Sequence, residues 1–577
     1  MLITYSDIGE FPAQLPFFLN DYIFGIRLDL KTTAIIISPF ILGILVLDIL
    51  HFWVLKTYLF LLRFVIAFYI FLSLIITITN YYYFGIFGTS IDVFIFEFLE
   101  PENRSEVIKT LLTDISILRI LMIIAFSFTA LLLLKNVTVK YLPSSLFKDL
   151  QGIRKGLFLA FLCILIALLA RGSITARPLS KHRASLSPVV FYNQLMSNGV
   201  MALYRAQKQR TNINEDYLLI PEEQLIKSFN IYFPNNVVSD SPELNGYQTT
   251  TNFSDERPLP NVVLSVMESF GSKLLSTHTA SNDVFGNFKK HTEEDYFFEN
   301  FTSEGNSTVP SLEKILLGHA FQRNVSTSAY RNISFITSAA QKFSDKGYKT
   351  VYITSGKKSW SDLDLLFLNQ GFTEIYDEFT ILNKVQGAKN GRTWGVYDEY
   401  AYQFIEQLLN ENTTQPIFIV LLTVTNHSPF EPPEEYIGGP IDISNISSIS
   451  PLVDNSKAQQ IVKTYQYANN SLGNFISSIK NNDNLSENTI IAATGDHYLR
   501  ILFNYPEDEI AWKFKVPFYL YLPKQYQQET TKDLTRFGSH RDIFPTLYNR
   551  IFSETAYFNM GNDLLSTNFS ANHEFSY

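Results

Sequence analysis

Almost every long apolar run in this 577-residue chain lies before Arg171, and that lopsided distribution constrains the fold more than any other feature. Four runs, at about 33–55, 58–79, 115–134 and 156–172, approach the roughly 20 apolar residues that a bilayer core requires. Four such runs in succession, with so few charges, are hard to bury in a soluble core. The first two are separated only by Lys56 and Thr57, which reads as a tight helical hairpin or one long buried pair, and the fourth is flanked by Arg154, Lys155 and Arg171, whose stems can snorkel to headgroups. The 135–155 connection carries Lys135, Lys140, Lys148, Arg154 and Lys155 against a single Asp, which marks it as cytoplasmic and sends everything after the fourth run outside. The acidic 84–114 loop then falls outside too, with its FGIFGTSIDVFIFEFLEP stretch expected along the interface, and LPFFLNDYIFG at 15–25 reads as a shortened or interfacial extra helix.

The remainder is polar and rich in Asn, Ser, Asp and Glu. A net charge of -9, with no basic stripe, argues against a nucleic-acid binder. The only cysteine, Cys163, sits inside an apolar run, so there is no disulfide framework, no CxxC zinc site and no cysteine nucleophile in the polar part. From Pro258 onward, short β-branched runs alternate with helical patterns. NVVLSVMES, YKTVYITSG, PIFIVLLTVTNH and NTIIAATGDH each end in polar, potentially reactive residues, the pattern of a buried parallel sheet whose ligands gather at the C-terminal ends of its strands.

Metal-capable side chains fall at two of those ends. Glu268 follows the run from Asn261 to Met267, and Asp496 with His497 follows the run from Thr489 to Thr494 and a permissive Gly495, so both sets reach one sheet edge. Two carboxylates and an imidazole suit Mn²⁺, Zn²⁺ or Mg²⁺. In FTSEGNSTVPSLEKILLG, Thr308 lies between a Gly-Asn-Ser turn and a helix opened by Pro310; taken alone it reads as the N-cap of helix 309–317, and beside a metal its hydroxyl is a plausible nucleophile.

NVVLSVMESF, GNSTVPSLEKILLG, TNHSPF and GDHYLR, in this order, resemble the lipoteichoic acid synthase and phosphoglycerol transferase branch of the sulfatase-like, alkaline phosphatase superfamily. WGVYDEYAYQFIEQL, HRDIFPTL, FGIRLDL and YYYFGIFGTSIDV resemble the same branch, so the likeness runs from about residue 21 to 550. It implies one divalent metal, Mn²⁺ by analogy with Zn²⁺ or Mg²⁺ as alternatives, held by Glu268, Thr308, Asp496 and His497. Thr308 is then also the nucleophile, passing through a phospho-threonine intermediate, and His427 lies near the substrate phosphate. The segment SGKKSWSDLD corresponds to a substrate-binding stretch in which Trp360 matches an aromatic, while Asp362 stands where the family has an Arg; Lys358 or Lys357 is the expected replacement cation.

Two departures separate neighbouring branches. Thr308-Val-Pro-Ser-Leu312 mimics the sulfatase signature, yet a formylglycine cannot be made from Thr, which disfavours sulfate-ester hydrolysis. The Met-Glu-Ser ligand motif and the lack of disulfides also differ from the phosphoethanolamine transferases. The expected architecture is an N-terminal transmembrane domain of about four helices (1–172), a polar, partly helical connector (173–257) and an extracytoplasmic alkaline-phosphatase-like α/β domain with a mostly parallel sheet (258–577). The expected activity is transfer of a phosphoglycerol-type group from a phosphatidylglycerol-like membrane lipid to a glycan or lipid acceptor at the outer face of a bacterial cytoplasmic membrane. A phosphodiesterase or atypical sulfatase, a phosphoethanolamine transferase and a non-catalytic membrane module are the alternatives.

Overall fold

A computed structural model of the chain describes residues 23–36, 38–39, 52–87, 152–173, 198–212, a few isolated positions among them and, with short gaps, 247–567. The chain divides into two compact units, the first drawn mainly from residues before 217 and the second mainly from those after. In the first unit, helices α1 (Phe52–Phe87), α2 (Gly152–Arg171) and α3 (Gly199–Asn212) are described. Helix α1 corrects the expected break between 55 and 58: Lys56 and Thr57 lie inside one continuous helix. Neither residue is a helix breaker, so two polar side chains interrupt the apolar run without interrupting the backbone. Where α3 meets α1, only a glycine fits, because a Cβ on Gly199 would stand 2.7 Å from the Ile76 carbonyl oxygen. Among the described residues no helix is long and apolar enough to cross a membrane. The expected run 115–134, much of 33–55 and most of the 84–114 loop lie outside those residues.

The second unit is built on a seven-stranded sheet. Its strands are β1 (Asn261–Met267), β2 (Tyr296–Phe298), β3 (Lys349–Thr354), β4 (Glu374–Tyr376), β5 (Ile417–Leu422), β6 (Thr489–Gly495) and β7 (Phe518–Tyr521), in the order β2-β7-β6-β1-β5-β3-β4. The five strands from β6 to β4 are parallel, and β7 and β2 complete one edge in antiparallel fashion. The sheet is therefore mixed: mostly parallel, as expected, with an antiparallel edge that the sequence did not indicate.

Both faces are buried, which is why the strands read as continuous apolar runs. Alternation still sorts the side chains. Val263 and Met267 of β1 join Ile419, Leu421, Ile491 and Ala493 in one core, where α6 (Asp398–Glu411) and α7 (Asn455–Lys480) contribute Phe404, Ile405, Ile461 and Leu472. Val262, Leu264 and Val266 point the other way, into a core shared with α4 (Thr308–Leu317), α5 (Ala339–Asp345) and α8 (Ile543–Ile551). At the centre of that second core Phe343 stacks on Phe418, ring centroids 4.0 Å apart, with Phe552 at 5.3 Å. Phe343→Ala should lower unfolding free energy by about 3–5 kcal/mol in chemical denaturation, since it opens a cavity walled by rings that cannot collapse into it. A loss under 1 kcal/mol would contradict this packing.

Candidate active site and metal centre

Strand register brings the chemistry together. Met267 and Gly495 are directly paired across β1 and β6, and the β1–β5 ladder pairs Val266 with Leu422. The residues that follow, Glu268, Asp496 and Thr423, therefore emerge side by side at one sheet edge. The Asp496 amide donates to the Met267 carbonyl at 3.0 Å, and the Glu268 amide donates to Thr423 Oγ1 at 3.0 Å. Gly495 is needed here for close approach: a Cβ would lie 2.3 Å from the Phe270 carbonyl oxygen, so its value is its lack of a side chain, not its flexibility.

Glu268, Asp496 and His497 place ligand-capable atoms within 4.8 Å of one another, and all three are buried. His497 Nδ1 lies 2.9 Å from the Tyr498 carbonyl oxygen. A carbonyl only accepts, so Nδ1 carries the hydrogen and Nε2 presents its lone pair to the cluster. Nε2 is 3.4 Å from Asp496 Oδ2 and 3.8 Å from Glu268 Oε1. Thr308 Oγ1 closes the group, 3.2 Å from Glu268 Oε2 and 3.5 Å from His497 Nε2. These separations, from 3.2 to 3.8 Å, are short enough for one divalent ion to be reached by all four side chains.

Electrostatics supports the same fit. Burial raises the Glu268 carboxyl and pushes Asp496 well up, the Glu268 charge adding to the effect on Asp496, while burial and then the Arg500 charge hold His497 well down. Asp496 Oδ2 is buried without a hydrogen-bond partner. Lone pairs facing one another in a desolvated pocket repel unless a cation joins them, so the donor set fits a divalent metal. A second group with ligand-like side chains, His291, Glu294 and Asp295, differs in this respect. There the Lys480 ammonium already sits 2.7 Å from Asp295 Oδ2 and 3.1 Å from Glu294 Oε2.

Thr308 is the first residue of α4, and Ser307, in extended conformation, is its N-cap. The N-cap alternative for Thr308 is thus corrected by one residue. Its hydroxyl faces the carboxylates at the positive end of the helix. At 9% exposure it is the most accessible of the four. His427 is half-buried on the loop after β5; its Nδ1 donates to the Ser428 carbonyl at 2.8 Å and its ring lies 4.3 Å from that of Trp394. Asn426, its neighbour, donates to the Glu268 and Ser269 carbonyls at 3.1 and 3.3 Å, tying that loop to the metal edge. Trp360 and Lys358 follow β3 at the same edge; Trp360 packs against the second core and Lys358 is exposed. Asp362 pairs with Arg331, and Ser361 and Asp362 both adopt left-handed φ, of 54° and 56°.

Four contributors were not singled out by sequence. Ser269, left-handed at φ 51°, donates its amide to Asp496 Oδ1 and its hydroxyl to Glu268 Oε1, each within 2.8 Å. Asn426 and Arg500 lie in motifs recognised for their neighbours. His540 joins two loops: Nε2 donates to the Gly495 carbonyl at 2.9 Å and Nδ1 accepts the Glu304 amide at 3.2 Å. Burial drives His540 down to about 3. Between that value and the ordinary 6.5 the unfolded chain binds a proton that the folded chain refuses, so stability is intact above pH 6.5 and falls as pH drops. Wild type should lose about 2–3 kcal/mol more than His540→Gln between pH 7 and 4.5 in urea titrations. Parallel curves would rule out this source of acid sensitivity.

Comparison with known proteins finds relatives of part of the chain. The lipoteichoic acid synthase-like YvgJ of Bacillus subtilis is 25% identical over 331 residues, spanning 53% of this chain and 50% of that protein. Lipoteichoic acid synthase 1 of the same organism is 24% identical over 332 residues, 53% of this chain and 48% of that one. The chain thus matches about half the length of these relatives. A crystal structure of the lipoteichoic acid synthase LtaP from Listeria monocytogenes superposes with a TM-score of 0.42 and 18% identity, covering 54% of this chain and 78% of that one. The sulfatase family profile matches residues 260–551, from the strand that delivers Glu268 to the helix that ends the second core, and on that half of its length the chain belongs to the sulfatase family.

Proposed function

We propose that the protein transfers a phosphoglycerol-type group from a membrane lipid to a glycan or lipid acceptor, with Thr308 as nucleophile. The observation that carries the reading is the meeting of Thr308, Glu268, Asp496 and His497 in one buried cluster. A divalent cation held there by those four residues would polarise the phosphoryl oxygen and ease loss of the threonine proton. Thr308 Oγ1 attacks phosphorus, a P–O bond to the lipid breaks, and the lipid alcohol leaves with a proton. Its group then rests on Thr308 until an acceptor hydroxyl attacks, restoring the threonine. Glu268 orients the hydroxyl, and His427 supplies or receives the proton at the leaving oxygen. Trp360 and Lys358 lie on the loop that meets the headgroup. The likeness to the lipoteichoic acid synthase-like relatives supports phosphotransfer as the reaction class.

Residues 258–577 form the catalytic domain in this reading, and the apolar segments before 173 anchor it to the membrane, with 173–257 as connector. Anchoring holds the site near its lipid and raises effective concentration. The full chain in lipid vesicles containing headgroup-labelled phosphatidylglycerol, Mn²⁺ and a soluble glycan tests the idea. Label on the glycan, read by mass spectrometry, is expected. Label released only as free glycerol phosphate identifies a hydrolase of the same fold, and release of neither excludes the proposed donor.

A further inference from the structure

Just ahead of α6, the residues from Trp394 to Val396 are wedged between two loops at the C-terminal edge of the sheet. On one side the Val396 amide donates to the Ser355 carbonyl at 2.9 Å, and a Cβ on Gly356 would stand 2.9 Å from the Trp394 carbonyl oxygen. The segment therefore lies flush on the loop after β3, which continues to Lys358 and Trp360. On the other side Trp394 Nε1 donates to the Ser428 carbonyl at 2.7 Å, and its ring lies 4.3 Å from that of His427 at 57°. His427 Nδ1 donates to the same Ser428 carbonyl at 2.8 Å, so two donors converge on one oxygen. The start of this loop is held as well: buried Asp398 accepts the Val424 and Thr425 amides at 2.9 and 3.2 Å.

A carbonyl only accepts, so the neutral His427 ring carries its hydrogen on Nδ1 and keeps a lone pair on Nε2. Turning the ring over would set a C–H against the Ser428 oxygen and lose that bond, and the indole packed beside it opposes the turn. We propose that Trp394 is a positioning residue that holds the Ser428 carbonyl and the His427 ring so that Nε2 alone handles protons. The proposal rests on the role given to His427 in the phosphotransfer reading above. The ring gives its Nε2 proton to the departing lipid oxygen. Now neutral, with its hydrogen on Nδ1, it takes a proton at the same atom from the acceptor hydroxyl as that oxygen bonds phosphorus and the bond to Thr308 breaks.

Trp394→Phe keeps a ring beside His427 and removes the indole N–H, whereas Trp394→Leu removes both. Ring-nitrogen NMR on the full chain, with the His427 signals assigned by their loss in His427→Gln, reads the tautomer directly. Wild type should hold the neutral ring with hydrogen on Nδ1, and Trp394→Leu should mix the two forms. For transfer from headgroup-labelled phosphatidylglycerol, kcat should fall roughly tenfold in Trp394→Phe and further in Trp394→Leu, with KM changed less than about threefold. Trp394→Phe added to His427→Gln should cost nothing more, because both act through one atom. A wild-type ring with hydrogen on Nε2, or the same tautomer in Trp394→Leu as in wild type, overturns the proposal whatever happens to kcat. Losses that add in the double variant overturn it too. The spectra need no turnover; a wild-type chain that fails to transfer from the lipid therefore defeats the parent reading separately.

Discussion

Thr308→Ala should abolish turnover, by at least about three orders of magnitude, while the fold survives. The reasoning is that catalysis by a covalent route has no substitute for its attacking atom, and removing a nucleophile costs nearly as much as removing the whole set that acts with it. Stability should change little. Thr308 opens α4, alanine is a better helix former, and the excised atoms lie beside the least covered part of the cluster. Thr308→Ser, which restores a hydroxyl, should recover measurable activity. Release of labelled headgroup and thermal melting of the three proteins check this. More than a few per cent of wild-type activity in Thr308→Ala, with a normal melt, would end the phospho-threonine mechanism.

The second large effect has opposite signs in two conditions. Glu268→Gln should weaken divalent-metal affinity by a hundredfold or more, since it removes an anionic ligand from a set of four. In the presence of chelator the same change should raise the melting temperature by several degrees. Without a cation, Glu268 and Asp496 are two desolvated carboxyls whose ionisation burial opposes, and Asp496 Oδ2 has no hydrogen-bond partner. Replacing one by a neutral isostere relieves that repulsion. Calorimetric metal titration and melts with and without chelator measure both halves. A variant that keeps wild-type affinity, or that melts lower in chelator, would show that the cluster is a hydrogen-bonded core and not a metal centre.

The strands and the ends that bear Glu268, Asp496 and His497 were legible because apolar β-branched runs stop abruptly at polar residues, and parallel strands present those stops at one edge. The antiparallel side was not. Tyr296–Phe298 and Phe518–Tyr521 are short and carry no local mark of direction. Ser269, Asn426, Arg500 and His540 escaped notice for a related reason. Each acts by a bond to a residue distant in sequence, as His540 does to Glu304 and Gly495, and only tertiary register creates such bonds. The replacement for the family's arginine was sought among nearby lysines, where local spacing points, and Lys358 lies exposed on the loop after β3.

The pairing of Met267 with Gly495 also bears on biogenesis. A nascent chain that has not yet produced the segment 489–497 has Glu268 and Thr308 but neither Asp496 nor His497, so the cluster comes together only once β6 has been made and paired with β1.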